Sequence, residues 1–456
     1  MVRFGSLRRL FSPTVLALAG LALLALVPRL ALFPHTAYLA PNPHPLADAT
    51  VWQIWGRDLW RYGLDDIDQI TPKTYLGYHY VFWAVAQVYA LTSPDFVIPS
   101  TRLHYMMKVP PILFDLLSMF VIFAATRRVA PLLPDRVGVV RRWAPVQTLE
   151  RGGVTAEDTL GLTAGALYVF SPGVIYDSAV WAQSESVITF FMLAAILTLA
   201  TGRVGPAWAL WAVAFVIKPQ PLVIVPALAA FTFWRFGWWG VARGAAGAAV
   251  GAFALLGYFL ATGNARYIWE VYQELFRTFD TQISVNAWNL WWPGQQLNDL
   301  RASDVLIPLG PVSLTVDRMS FLLLAATTLA TLSYLNTRRD LVGLLVSCAM
   351  LEFVFYLFPL STHERYLYPF FPFLAPMLLL QPRWLLLFLP LTAIFFLNVF
   401  FAAPSDPDMS KAALNSDLGL ALSMVNVALF AITATALLTA AFRARPWPPL
   451  LRPIAT

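Results

Sequence analysis

Cysteine is almost missing from this chain: Cys348 is the only one in 456 residues. A single thiol inside an apolar run closes no internal disulfide, so the redox state of its compartment is not legible. Charge is scarce as well. Asp, Glu, Lys and Arg make up 12% of the residues, about half of the roughly 25% usual in soluble domains. The histidines His35, His44, His79, His104 and His363 are scattered, with no HExxH or comparable ligand spacing, so no metal centre is expected. A Walker A loop is absent, which argues against nucleotide hydrolysis. No internal repeat, low-complexity tract or separate soluble domain is visible, and the missing repeat weakens a transporter built from inverted halves.

What is present is hydrocarbon. The chain is 59% hydrophobic and 14% aromatic, with a mean hydropathy of +0.64. Apolar runs fall near 11–31, 109–126, 159–176, 187–202, 204–218, 219–235, 244–262, 319–335, 341–360, 366–381, 384–401 and 418–442. Runs of about 17–25 apolar residues cross a bilayer core of about 30 Å. They must be helical there, because lipid offers backbone groups no hydrogen bonds. The expectation is an all-α polytopic membrane protein, one domain over 1–456, with about 12 spans. The first run is read as a retained helix rather than a cleaved signal, since no small-residue cleavage site follows it.

Arginine orients the chain. The run 75–92, "YLGYHYVFWAVAQVYALT", carries His79 and several tyrosines, which suit an interface better than a bilayer centre. If it does not cross, 34–108 is one long external loop. Arg127/Arg128, Arg141/Arg142, Arg203, Arg235, Arg243, Arg338/Arg339, Arg383 and Arg443/Arg445 then all lie inside, as the positive-inside rule favours. Both termini are thereby expected in the cytoplasm, with a cytoplasmic loop at about 127–157 and a second external loop at about 263–318. Localisation in the inner cell membrane follows.

Under that topology five polar-aromatic clusters meet on the external face: "HPLADATVW", "DSAVWAQSES", "KPQP", "NAWNLWW" and "HERYLYP". Loops carried on a rigid scaffold are where function concentrates. Asp48 opens an amphipathic stretch with Trp52, Trp55, Leu59 and Tyr62 at helical spacing, expected to lie on the outer interface with its aromatic stripe toward lipid. The carboxylate serves either as an N-cap or as a general base at the membrane surface. Lys218, His363 and Arg365 either snorkel singly to headgroups or together face a phosphate. Trp181 and Trp288 stand among Asp177, Gln183, Glu185, Asn286 and Asn289, a mixture of rings, amides and carboxylates that suits either an interfacial belt or a sugar. Glu364 and Tyr366 complete the last cluster. Asp115 and Glu352 lie inside spans, where a charge is paired or functional, and neither is given a catalytic role.

These residues carry a family likeness. The stretches "KVPPILFDLL", "LYVFSPGVIYDSAVWAQSES", "VIKPQPLVIVP", "SVNAWNLWW" and "HERYLYPFFPFL" resemble the GT-C superfamily of polyprenyl-phosphate-sugar-dependent glycosyltransferases. The likeness is greatest to prokaryotic relatives of the GPI-anchor second mannosyltransferase, and more distant to the dolichyl-phosphate-glucose glucosyltransferases. It implies a GT-C fold whose long first external loop carries two interfacial helices. It further implies inverting, metal-independent transfer of a hexose, mannose first and glucose next, from a polyprenyl-phosphate donor to an acceptor hydroxyl on the extracytoplasmic face. The family's catalytic Asp matches Asp48, and its phosphate-contacting residues map onto Lys218, His363 and Arg365. Sugar or acceptor contacts would come from Asp177, Trp181, Gln183, Glu185, Asn286, Trp288, Asn289, Glu364 and Tyr366. No cofactor is implied. The partners are the lipid-linked donor, a glycan, glycolipid or other hydroxyl acceptor, and membrane lipids, with no nucleic acid. Two departures stand out: relatives usually carry Asp-Tyr-Pro-Pro where this chain reads "ITPKTYLGYHYVFW", and Asp where it has Glu185. The rival readings are a lipid-sugar flippase, a scaffold that binds a partner, and a ligase of whole lipid-linked glycans.

Overall fold

A computed structural model of the chain describes residues 12–35, 37, 48–70, 76–277, 283–308, 313–403 and 416–443. Helices dominate it: α1 (Pro13–Leu32), α2 (Asp48–Tyr62), α3 (Leu76–Ala90), α4 (Thr101–Val129), α5 (Pro134–Arg141), α6 (Ala144–Arg151), α7 (Ala156–Val169), α8 (Pro172–Tyr176), α9 (Glu185–Ala200), α10 (Val204–Ile217), α11 (Val225–Ala261) and α12 (Ala265–Arg277). The second half adds α13 (Trp292–Asn298), α14 (Val316–Thr337), α15 (Leu341–Leu357), α16 (Phe370–Leu374), α17 (Leu385–Ala402) and α18 (Asp417–Arg443). Two short ribbons interrupt them. β1 (Ser284–Val285) pairs in parallel with β4 (Thr362–His363), and β2 (Val305–Ile307) pairs antiparallel with β3 (Leu314–Thr315).

Six helical stretches among the described residues are long and apolar enough to cross a membrane: Pro13–Leu32, Thr101–Leu132, Gln220–Ala261, Val316–Thr337, Pro382–Ala402 and Asp417–Arg443. A seventh span is available if Ala156–Val169 and Pro172–Trp181, bent by 56° at Ser171-Pro172, count as one. The chain is therefore all-α, polytopic and membrane-embedded. Side-chain oxygens start several helices: Ser12, Ser100, Thr155 and Asp340 each accept an amide of the first turn. α15 lies at the centre, with every residue buried except Phe355, as an all-round apolar helix should.

α11 is too long for one straight crossing, since 37 residues in line would run about 56 Å, nearly twice a bilayer core. Gly237 breaks it, at φ 62° and ψ −164°, a conformation that side chains disfavour. The chain doubles back there: a Cβ on Gly240 would lie 3.4 Å from the carbonyl of Thr232, eight residues earlier. The returning arm packs on α10 through small residues, since Cβ atoms on Gly247 and Gly251 would fall 2.0 and 2.2 Å from the carbonyl oxygens of Gly205 and Ala209.

Two expectations are corrected here. The aromatic stripe of α2 does not face lipid. Trp52, Trp55 and Leu59 are buried, with Trp52 and Trp55 against Phe82 and His79 of α3, because α3 supplies a second apolar surface that covers the stripe. The run 366–381 is not one continuous helix either. It consists of short turns, Glu364–Leu367, Phe370–Leu374 and Ala375–Met377, since Pro369, Pro372 and Pro376 each remove a backbone donor. α3 itself, over the 75–92 run, is not among the membrane-crossing stretches.

Candidate functional site

Local folding brings the polar residues to one end of the helices. α9 begins with Glu185 and its antiparallel neighbour α10 ends at Lys218. A carboxylate at a helix N-terminus and a cation at a C-terminus are each favoured by the peptide dipoles. There Lys218 Nζ bonds Glu185 Oε1, with both side chains out of solvent. Arg365, held in the turn Glu364–Leu367, reaches the same oxygen with Nε at 3.1 Å. Its Nη1 donates to Glu364 Oε1 at 2.7 Å and lies 3.4 Å from His363 Nδ1. The guanidinium sits 5.1 Å over the Trp181 ring. Its Nη2 bonds no described residue, which leaves one arm of the fork available.

Trp181 ends a π turn, Asp177–Trp181, that closes with Ala182 in the left-handed region at φ 65°. This turn aims Gln183 back across the site. Gln183 Nε2 donates to Asp48 Oδ2 at 2.7 Å, while its own amide is anchored on the Asp177 carbonyl. Asp48 stands in the first turn of α2. A cavity of about 110 Å³ is lined by Asp48, Trp52, Trp55, Tyr78, Phe82, Gln183, Ser184 and Arg365. A carboxylate and an arginine thus share one small cavity with four aromatic rings.

Around it lie supporting contacts. Lys218 Nζ is 5.0 Å from the Tyr366 ring, which stacks on Phe355 and adjoins His363. Gln220 donates to the Tyr366 carbonyl at 3.0 Å and to Glu352 Oε2 at 3.3 Å. Burial, with Arg365 and Lys218 close by, holds the His363 imidazole well below its ordinary value. That shift favours the uncharged ring, which leaves Lys218 and Arg365 as the cations beside Glu185. Burial also raises the Glu364 carboxyl, with Arg365 opposing the shift. Asp177 is fully buried, and neither of its carboxylate oxygens is bonded by a described residue.

Some expected contacts are spent on packing. Asn289 Oδ1 accepts the amides of Trp291 and Trp292 at 3.1 and 3.2 Å, which caps α13. Trp288 is fully buried against Phe401, and its carbonyl accepts from Asn426. Asn286, at φ 61°, bridges to His363 through its backbone and gives its carbonyl to Asn398. That segment therefore props the His363 strand from behind rather than lining the cavity.

Sequence reasoning left Arg29 and Lys108 out. Arg29 is completely buried and binds Asp115 Oδ2 through Nε at 3.3 Å and Nη2 at 2.8 Å. Tyr168 donates to Asp115 Oδ1 at 3.1 Å, and Tyr368 bonds the same oxygen. Asp115 is thus a paired structural residue. Lys108 donates to the carbonyls of Phe33 and His35 at 2.7 and 2.6 Å and so clamps the exit of α1. The signal available for both was a cation within two residues of a proline at the edge of an apolar run.

No protein-family model matches the chain, and no curated protein matches it.

Proposed function

We propose that the chain is an inverting, metal-independent glycosyltransferase of GT-C type, with about twelve membrane crossings. It moves a hexose, mannose or glucose, from a polyprenyl-phosphate donor to an acceptor hydroxyl on the extracytoplasmic side. The observation that carries this reading is that Asp48 and Arg365 line the same cavity, so a base and an anion-binding fork face one small space. The Gly237 reversal, which makes two arms of α11, the bent pair Ala156–Val169 and Pro172–Trp181, and the shorter apolar helices Glu185–Ala200, Val204–Ile217 and Leu341–Leu357 support eleven crossings, and the short turns from Glu364 to Met377 would make the twelfth.

The chemistry follows from where charge develops. Asp48 takes the proton of the acceptor hydroxyl as its oxygen attacks C1 of the sugar. The C1–oxygen bond to phosphate breaks, its electron pair stays on the phosphate, and the configuration at C1 inverts. Arg365 Nη2 and Lys218 meet the growing negative charge, with neutral His363 as a hydrogen-bond partner. A well-placed donor of this kind contributes roughly 3–4 kcal/mol to barrier lowering. Trp55 and Trp52, which line the cavity, supply ring faces for the sugar, and Trp181 backs the Arg365 guanidinium. Acceptor, glycan or glycolipid, enters from the external face, and lipid surrounds the helices.

The test is release of free polyprenyl phosphate by purified protein in detergent with EDTA. Synthetic short-chain polyprenyl-phosphate mannose and polyprenyl-phosphate glucose are supplied separately with acceptor mixtures. Release from one donor, lost in Asp48→Asn, supports the reading and names the sugar. Binding of a donor without turnover would favour a flippase instead, and full turnover by Asp48→Asn would move the base elsewhere.

A further inference from the structure

At the helix ends remote from Asp48, three turns bring arginines together: 201–203 carries Arg203, 235–243 carries Arg235 and Arg243 around the Gly237 reversal, and 336–340 carries Arg338 and Arg339. They form one surface. A Cβ on Gly202 would lie 3.9 Å from the Phe236 ring, the Arg243 carbonyl is 3.6 Å from the Cβ position of Gly205, and the Arg339 guanidinium is 5.1 Å from the Trp234 ring. Arg203 precedes α10, whose far end is Lys218. Fourteen helical residues put about 21 Å between these two faces.

Among the described residues this surface is not neutralised. Asp340 is the only acidic residue in the three turns, and Arg338 holds it at 3.1 Å. Arg203, Arg235 and Arg243 make no ion pair with any described residue. Arg243 lies 5.3 Å over Trp239, and Arg235 lies 5.7 Å over Phe231 and 5.9 Å over Phe236. Ring stacking orients a guanidinium while leaving its fork of donors for a phosphate. Trp238 and Trp239 are 76% and 67% exposed beside them. Exposed indoles at the end of a membrane-crossing helix belong to the headgroup layer, so the arginines stand where lipid phosphates are.

We infer that this face binds the headgroups of anionic phospholipids, with Arg235 and Arg243 on the phosphate and Arg203 adding charge. The inference is independent of glycosyl transfer. A soluble polyanion would meet the same charges only by displacing the lipid that Trp238 and Trp239 are placed to contact. Each arginine near an anionic surface contributes about fivefold in affinity, and added salt weakens the attraction.

The experiment measures binding of fluorescent short-chain phosphatidylglycerol and phosphatidylcholine to the full chain in neutral detergent. Phosphatidylglycerol should bind more tightly. The double variant Arg235→Gln/Arg243→Gln should lose roughly tenfold or more of that affinity with phosphatidylcholine unchanged. Lysine at both positions should keep most of it, whereas an equal loss with lysine would assign the effect to packing and overturn the inference. Arg266→Gln, on the opposite face, should change nothing; the same loss there would remove the localisation. Equal binding of the two lipids by wild type would overturn the proposal. So would complete displacement of the lipid by inorganic phosphate at matched ionic strength, which would make this a free-anion site.

Discussion

Gln183 and Asp48, 135 positions apart in the chain, meet in a side-chain hydrogen bond of 2.7 Å. Because a carboxylate is the acceptor, the amide must present its nitrogen. Gln183 therefore fixes one oxygen of Asp48, and in the proposed reaction the other takes the substrate proton. A hydrogen bond to a charged group is worth about 1.5–3 kcal/mol. Gln183→Leu should accordingly lower kcat for polyprenyl-phosphate release about tenfold to hundredfold, with donor affinity unchanged. Asp48→Asn should lower it by about 100-fold to 10000-fold. A raised donor Kd with normal kcat in Gln183→Leu would make Gln183 a sugar contact instead.

The buried pair Arg29–Asp115 yields a stability prediction. Both side chains are inaccessible to solvent, so removing either partner leaves an uncompensated charge. Arg29→Met or Asp115→Leu alone should cost about 3–5 kcal/mol, while the double variant should recover much of it. Tyr168 and Tyr368 would still bond each other at 2.9 Å. Unfolding of the four proteins in one detergent gives the cycle, and additive losses would contradict the pairing.

How much of this was legible beforehand depends on what a residue's neighbours in sequence reveal. Asp48, Gln183, Glu185, Lys218 and Arg365 stood out because each is polar at the edge of an apolar run, and the structure brings them together. Their pairing was not legible, since a shared Glu185 oxygen is a property of two helix ends meeting in space. Trp288 and Asn289 looked the same in sequence but pack inward, because what covers a ring is decided by α17 and α18, more than 90 residues later. The stripe of α2 misled for a similar reason: periodicity shows an apolar face but not whether lipid or α3 covers it.

The close approach of α10 and the second arm of α11 sets a steric prediction. Gly247→Ala would drive a methyl to 2.0 Å from the Gly205 carbonyl, backbone against backbone. Overpacking of this kind costs about 1–3 kcal/mol. Gly20→Ala in α1, with nothing within 4 Å of the added Cβ, should be neutral or slightly stabilising. Thermal unfolding of the two variants separates them.

His363 predicts a pH dependence with a definite sign. Its folded value lies well below the ordinary 6.5, through burial first and then Arg365 and Lys218. In the unfolded chain the ring takes up a proton as pH falls past about 6.5, whereas the folded chain does not. The contribution of His363 to stability is therefore complete above about pH 6.5 and declines as pH falls toward the folded value. Wild type should lose more stability than His363→Gln between pH 7.5 and about pH 5. Glu364, shifted upward by burial against the pull of Arg365, works in the opposite direction in the window above its ordinary 4.5, so the difference between the two proteins is the quantity to read. Parallel curves for wild type and variant would remove His363 from the account.

Arg365 and Lys218 both address Glu185 Oε1, yet they should not be interchangeable. Arg365 sets Nε within ion-pair distance of Glu185 without a hydrogen bond and donates Nη1 to Glu364, while its Nη2 bonds no described residue and the side chain lines the cavity. A lysine at 365 has a single nitrogen: paired with Glu185 it leaves Glu364 without its cation, paired with Glu364 it leaves Glu185 to Lys218 alone, and in either case no fixed donor remains for a phosphate. Arg365→Lys should therefore lower turnover by about 100-fold or more, near the loss expected on removing one transition-state donor, despite the conserved charge. Lys218→Arg should be milder, because Lys218 acts as a point charge on Glu185 beside the Tyr366 ring. Comparable kcat in both exchange variants would mean that charge alone matters here, and the available Nη2 arm would lose its role.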